Sequence, residues 1–369
     1  MPPIPQTDPG AFVRAHRQEV MTAMERVLDS GWYILGREVE AFEREFCAAF
    51  GYQHAVGVGN GTDALALALR AVGLSEGRRV ATVSHTAVAT VAAIAMAGAT
   101  PVFVDIDPAS FTMDPRALAA ALEGPDAIHG VVVVHLYGQP ADIIALRDIA
   151  HRSGIPLIED CAQAHGARIG ERSVGGFGAA AAFSFYPTKN LAALGDGGMV
   201  AAGEAEIAER VRSLRQYGWR RGRISETAGV NSRLDELQAA FLRVHLEHLE
   251  AANRRRAKIA AAYTAGLRGT GLSLPVERPG TTHVYHQYVL RHPERDALRA
   301  RLEAHGVLTN VHYPLPVHQH PAYLGRCANG PGGLDASEAA AREVLSLPMF
   351  PELDDAAVAA VIDAVRASL

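Results

Sequence analysis

The chain of 369 residues is short of cysteine, of net charge and of long apolar runs. Its three cysteines, Cys47, Cys161 and Cys327, are widely spaced and form no CxxC pair. That spacing argues against a disulfide frame or a structural zinc and suits a reducing compartment. No apolar stretch approaches the ~20 residues of a membrane span, and the N-terminus lacks a basic-then-apolar leader. A cytoplasmic protein is expected. The formal net charge is −5, so nothing asks for nucleic acid or an anionic membrane. Internal repeats and low-complexity segments are also missing. What is present, 49% hydrophobic and 20% charged residues, reads as a soluble globular chain with one large and one smaller domain.

Helical spacing of Val20, Met24, Val27 and Leu28 before Gly31, and of Val39, Phe42, Phe46 and Phe50 before Gly51, predicts two leading helices. Short β-rich runs then alternate with helical stretches: "HAVGV", "RVATV", "TPVFVDI", "GVVVVHL" and "IPLIED". This pattern predicts an α/β fold, a mostly parallel sheet with helices on both faces, and ligands at the carboxyl ends of its strands. Ser232 opens a long segment in which Leu234, Leu237, Phe241, Val244 and Leu249 mark one helix face. A breaker-rich loop, "GTGLSLPVERPG", follows, then "VYHQYVL" as a strand. The expected organisation is an N-terminal helical segment (1–30), a large α/β domain (31–250) and a small C-terminal α+β domain (251–369). Of two basic runs, "RRGR" at 220–223 could meet a phosphorylated ligand, and "RRR" at 254–256 reads as the solvated face of a helix.

Three short segments carry candidate chemistry. "GVGNGTDA" (57–64) lies between a strand and a helix, where Gly61 and Thr62 could offer free amides to a phosphate; a plain turn capped by Thr62 or Asp63 is the alternative. Its spacing fits neither the dinucleotide fingerprint nor the P-loop. "LIEDCAQAHG" ends a strand with Asp160, which could either pair with a protonated ring nitrogen or cap a helix. "FSFYPTKNLAALGDGG" sets Lys189 among aromatics and glycines, as a loop-mouth lysine or as an amine desolvated for attack on a carbonyl. Taken together, these are the three grips that pyridoxal phosphate requires: a phosphate cradle, a carboxylate for the pyridinium and a lysine for the aldehyde.

The order "GTDAL … EDCAQAHGA … FSFYPTKN … LGDGG … RQYGW … NSRLDELQAA … HYPLPVH … SLPMFPEL" resembles the DegT/DnrJ/EryC1/StrS aminotransferases from about Trp32 to the C-terminus. The resemblance implies a fold-type I enzyme that aminates keto-sugars with pyridoxal phosphate. It implies Lys189 as the cofactor lysine, Asp160 at the ring nitrogen and Gln163 at the ring's 3-oxygen. Gly61, Thr62 and Ser184 would hold the phosphate, and Asn231 would reach the phosphate in a neighbouring subunit, making the protein a homodimer with shared sites. Tyr33, Tyr186, His312 and Tyr313 resemble sugar-facing positions, and Arg220 or Arg221 could meet the nucleotide's pyrophosphate. Two departures stand out. Ala87 replaces the aromatic that many relatives stack on the cofactor ring, leaving His85 as a substitute, and Ala192 replaces a glycine after "KNL".

The expected activity is ping-pong transfer of an amino group from L-glutamate to a dTDP-3-keto-6-deoxyhexose, because "SFYPTKN", "RQYG" and "HYPLPVHQHPAY" are most like relatives acting at carbon 3. Amination of a 4-keto nucleotide sugar or of a keto-cyclitol is the alternative within the family. A sugar dehydratase would carry histidine where Lys189 stands. A cofactor-binding regulator without turnover is the reading from another class, though no DNA-binding module accompanies it. His312, His318 and His320 lie close together, but no acidic or cysteine partner stands at a familiar metal-binding spacing, and no metal is expected.

Overall fold

A computed structural model describes residues 3–124 and 126–369. Eight strands form the main sheet: β1 (His54–Val58), β2 (Arg79–Val83), β3 (Thr100–Val104), β4 (Gly130–Val134), β5 (Leu157–Asp160), β6 (Ala180–Ser184), β7 (Gly198–Ala202) and β8 (Ala328–Asn329). Their spatial order is β1-β7-β6-β5-β4-β2-β3-β8. β7 runs antiparallel to both neighbours, and every other pairing is parallel. The carboxyl ends of β1, β2, β4, β5 and β6 therefore meet along one edge.

The sheet is built of small and branched residues, and its central strands are buried on both faces, as a helix-covered parallel sheet requires. The helix Gly61–Ala71 illustrates the fit. Alanine and leucine are strong helix formers, and their small or unbranched side chains let the helix lie close on the strands. Leu65, Leu67 and Leu69 are all buried there, each contributing ~1.5–3 kcal/mol by leaving water. The leading helices Arg17–Ser30 and Arg37–Phe50 end at Gly31 (φ 62°) and Gly51 (φ 77°), left-handed positions where glycine avoids the Cβ penalty.

Four details differ from the sequence reading. The long helix spans Glu236–Leu267 and starts four residues after Ser232. Leu234 is buried just before it, packed with Phe42, Ala55 and Phe185, while the carboxylate of Glu236 accepts from the amides of Gly36, Glu38 and Val39 at 2.7, 2.9 and 3.1 Å and so caps the helix Arg37–Phe50. Leu28 and Leu237, expected on buried faces, are exposed; Leu28 sits ~100° round the helix from Val27 and turns away from the Val20–Ala23–Val27 face. Within "VYHQYVL" only Tyr288–Leu290 is strand, part of Tyr288–Arg291, which pairs with Val344–Leu347. The preceding residues bond instead to a loop, the Val284 amide to the Gly138 carbonyl and the Gln287 amide to that of Tyr137. Of the three arginines at 254–256, Arg256 is buried and donates to the carbonyls of Met349 and, more weakly, Tyr285. Burial brings its guanidinium down to about 10.

The C-terminal part packs helices Arg295–Ala304 and Asp355–Ala367 against the two-stranded sheet and the distal half of the long helix. That helix passes unbroken through residue 250, where the sequence reading set its domain junction. No helix is long and apolar enough to cross a membrane among the described residues.

Candidate active site

A cavity of about 280 Å³ opens at the carboxyl edge of the sheet. Gly61 and Thr62 form one wall. Helix geometry leaves their amides without carbonyl partners, and Asn60 caps the turn by accepting from the Asp63 amide at 2.8 Å. A Cβ on Gly61 would lie 2.4 Å from Cβ of Ser184, and one on Gly198 would lie 2.3 Å from the Asn60 carbonyl oxygen. Only glycine at both places lets the helix N-terminus sit directly on β6 and β7. Ser232 adds a clamp: its hydroxyl accepts from the Gly59 amide at 2.9 Å and donates to the Asp63 carboxylate at 2.6 Å.

Asp160, the last residue of β5, faces the cavity floor. It accepts from the Thr90 hydroxyl at 2.8 Å and from the Ala162 amide at 3.1 Å, so both oxygens are oriented. Thr90 is in turn 3.1 Å from Thr86. The preceding residue in the strand, Glu159, points to the opposite face. There it accepts from three amides, Gly175, Phe177 and Gly178, each at 2.7 Å, and from His135 Nε2 at 3.1 Å. His135 Nδ1 accepts from the Ala141 amide, which puts the proton on Nε2.

Lys189 closes the far side. Its loop is folded on itself by bonds from the Lys189 amide to the Tyr186 carbonyl (2.8 Å) and from the Ala193 amide to the Phe185 carbonyl (2.7 Å). Asn190 anchors it from behind, donating to Asn253 and to the Val284 carbonyl at 2.9 Å. The lysine is half-buried. Lost hydration lowers its pKa from 10.5 to about 8, with the Asp160 carboxylate opposing the shift. A neutral amine is therefore accessible near physiological pH. Among the chain's residues the only other lysine is Lys258, exposed on the long helix.

Gln163 lines the cavity with both ends of its amide engaged: Oε1 accepts from the Tyr137 amide at 2.7 Å and Nε2 donates to the Tyr313 hydroxyl at 3.0 Å. One Nε2 hydrogen remains for a ligand oxygen. Tyr137 donates to the His312 carbonyl and lies 2.8 Å from His85 Nε2, while His312 Nδ1 is 2.8 Å from the Ser346 hydroxyl. These bonds join the cavity floor to the 310–313 loop. Burial lowers His312 to about 4, with Lys189 adding to the shift, and raises Tyr313 to about 12.

Seven residues singled out in the sequence thus line one cavity: Gly61, Thr62, Asp160, Gln163, Ser184, Tyr186 and Lys189. His312 and Tyr313 reach it through the hydrogen bonds just described. Tyr33, Arg221 and Asn231 are exposed and lie outside its lining; Arg221 belongs to the hairpin Trp219–Arg221/Ile224–Ser225. His85 does not stand in for the aromatic missing at Ala87. It is fully buried among Phe111, Tyr137 and Tyr313, whereas Thr86 and Ala87 face the cavity. The histidines of the 312–320 loop are engaged separately: His318 bonds the Ser84 hydroxyl (2.7 Å) and Glu338 (3.2 Å), and His320 the Leu315 carbonyl. Asn60, Thr86, Thr90 and Ser232 escaped the sequence reading. Thr86 and Thr90 could have been found by their i, i+4 spacing.

The donor set fits pyridoxal phosphate: free helix amides with a glycine-tight cradle, an oriented carboxylate on the floor and a desolvated amine opposite. On this sheet topology it defines a fold-type I pyridoxal-phosphate enzyme. The match narrows further. Residues 14–366 match the model of the DegT/DnrJ/EryC1/StrS aminotransferase family, and the chain belongs to it. It is 48% identical over 366 residues (99% of this chain, 96% of the relative) to the dTDP-3-amino-3,4,6-trideoxy-alpha-D-glucose transaminase of Streptomyces venezuelae. It is 46% identical, with 99% of each chain covered, to the erythromycin biosynthesis sensory transduction protein EryC1 of Saccharopolyspora erythraea. The crystal structure of S. venezuelae DesV in complex with a ketimine intermediate superposes with a TM-score of 0.96 at 48% identity, covering 100% of this chain and 98% of that one. The chain is a pyridoxal-phosphate-dependent aminotransferase.

Proposed function

We propose that the protein transfers an amino group from L-glutamate to the 3-keto carbon of a dTDP-linked 6-deoxyhexose, as a homodimer with shared sites. The observation that carries the reading is the 48% identity, across nearly the whole of both chains, with a transaminase named for a dTDP-3-amino sugar. A second relative with the same name, from Micromonospora megalomicea, is 45% identical over 358 residues.

When bound, pyridoxal phosphate supplies an aldehyde that accepts nitrogen and a ring that holds an electron pair. The chain's residues do the rest. The amides of Gly61 and Thr62, with the positive end of their helix, bind the phosphate dianion. Asp160, held by Thr90 and Ala162, keeps a ring nitrogen protonated by presenting a negative charge in a partly dry site. Gln163 directs a hydrogen at the ring oxygen. Lys189 would hold the aldehyde and, as the amine nearest the reacting carbon, would take the proton from the donor's α-carbon and give one to the sugar carbon in the return half-reaction.

Shared sites are supported by an exposed apolar strip. Trp32, Tyr33, Ile34, Leu194 and Leu237 all stay open to solvent. Backbone contacts gather them: the Glu236 amide donates to the Tyr33 carbonyl, Ile34 bridges Asp235, and the Leu194 amide donates to Gln238. Burial of such a strip by a second copy would remove it from water, which supports the homodimer reading. Asn231 and Arg221, exposed near it in sequence, would then serve the neighbouring subunit's site.

Product analysis after separate incubation with 3-keto and 4-keto dTDP sugars plus glutamate tests the reading. Amination of the 4-keto sugar alone overturns the position. Failure of glutamate to convert the cofactor spectrum overturns turnover itself and favours a cofactor-binding regulator.

A further inference from the structure

The aminotransferase site uses none of His16, Glu19 and His248, which two elements bring together on the surface. His16 and Glu19 stand at the start of the helix Arg17–Ser30, and His248 lies on the long helix. His16 Nδ1 is 3.1 Å from one Glu19 oxygen, and His248 Nε2 is 2.9 Å from the other. The two imidazole centroids are 3.9 Å apart, and the ligating atoms of all three residues lie within 4.8 Å of one another. Phe12 walls the cluster, 4.6 Å from the His16 ring and 5.8 Å from that of His248.

We propose that His16, Glu19 and His248 form a site for one divalent transition-metal ion of the zinc type, completed by water. Two imidazoles and one carboxylate are the donor set that favours zinc over magnesium or calcium, which take oxygen ligands. Zinc–nitrogen bonds of ~2.0–2.1 Å place two nitrogens of a tetrahedral site about 3.4 Å apart, within the 4.8 Å that spans the candidate ligand atoms, so small side-chain rotations would bring them to one ion. His16 occupies the N-cap of its helix, an end that repels cations, and Glu19 in the first turn offsets this. The three side chains keep 26%, 49% and 33% of their exposure, leaving an entry path and room for water.

The ion would act as a staple rather than as a reactant. Phe12 also stacks on His245 at 4.0 Å, and His245 Nδ1 is 3.2 Å from the amide of Ala192, three residues beyond Lys189. Metal binding would pin the N-terminal segment to the long helix on the outer side of the lysine loop.

Tag-free, metal-stripped holoenzyme titrated with Zn²⁺ by calorimetry tests this, with Co²⁺ as a visible-absorption probe. The expected result is one equivalent per chain, tetrahedral cobalt bands and a Zn²⁺-dependent rise in Tm. His248→Ala and Glu19→Gln should each weaken binding by more than the ~10–100-fold that loss of an outer-shell partner costs, and abolish the Tm rise. Glu19→Gln keeps size and hydrogen bonding, so it reads the ligand role even if His248→Ala destabilises the fold. Absence of saturable binding, or equal stoichiometry and affinity in both variants, would make the trio an ion-pair network only.

Discussion

The floor and the rim of the cavity are built on different principles. The floor residues Asn60 and Asp160 sit at a helix start and a strand end, Lys189 stands in the loop that leaves β6, and all three are held by bonds within the chain. The rim candidates are looser: Tyr33, Arg221 and Asn231 are exposed and outside the lining, and His312 is reached only through Tyr137. A cofactor is the same in every turnover and rewards a rigid, pre-oriented floor. The proposed homodimer would bring a second chain to the rim.

The sharpest way to break this division is to remove the floor's amine. Lys189→Ala should lower kcat by at least the ~10²–10⁴-fold of a lost acid–base group, and borohydride should fix the cofactor on the Lys189 peptide alone. Label on Lys258 would refute the assignment. Asp160→Asn keeps the bond from Thr90 but removes the charge; turnover should fall on the order of 10²-fold, the scale of one lost electrostatic contact in an active site. Near-normal kcat would remove Asp160 from the floor.

The rim is tested by mixing. Inactive Lys189→Ala combined with an inactive Asn231→Ala variant should recover part of the wild-type rate, since one site in a hybrid dimer has both residues intact. No recovery despite proven subunit exchange would mean that the rim belongs to its own chain.

Glu159→Gln sharpens the contrast from the far side of the same strand. It turns one accepting oxygen into a donor, set either against the Gly175 amide and His135 or against the amides of Phe177 and Gly178, so denaturant unfolding should show a loss of about 1–3 kcal/mol. Folded molecules should retain their kcat; a primary loss of activity would make Glu159 part of the site. The smallest effect concerns pH. Lys189 has a lower pKa folded (about 8) than at its ordinary value of 10.5, so between these values the unfolded chain binds more protons. The cofactor-free protein should therefore gain stability from this group as pH rises from about 8 towards 10.5, with no contribution to the slope below 8. In Lys189→Met that part of the rise should vanish in melts across the range; an unchanged slope would place the shift elsewhere.

Much was legible before any coordinates. Strand runs of Val, Ile and Ala between helical segments specify a parallel sheet locally, because each run is too short and too apolar to be anything but a buried strand. The segments around Gly61, Asp160 and Lys189 carried enough residue chemistry to name the cofactor. Other features were hidden because they depend on partners far along the chain. Thr90 matters through Asp160, seventy positions away, and Ser232 through Gly59 and Asp63. His85 was a candidate stack until packing turned it toward Phe111 and Tyr137. Leu28 and Leu237 fitted a buried stripe by spacing alone, yet both face solvent.

Sequence by itself determined the first five sheet strands, their alternation with helices and the identity of the reactive groups, because helix caps, glycine turns and apolar periodicity act over a few residues; the strands Ala180–Ser184, Gly198–Ala202 and Ala328–Asn329 became evident only in the assembled sheet. Tertiary structure alone decided what Asp160 and Glu159, adjacent in the chain and on opposite faces of their strand, each meet. One is open to a cavity, and the other is closed over by three amides. A strand alternates its side chains, but which face receives a ligand and which receives a loop is set only when the sheet is covered.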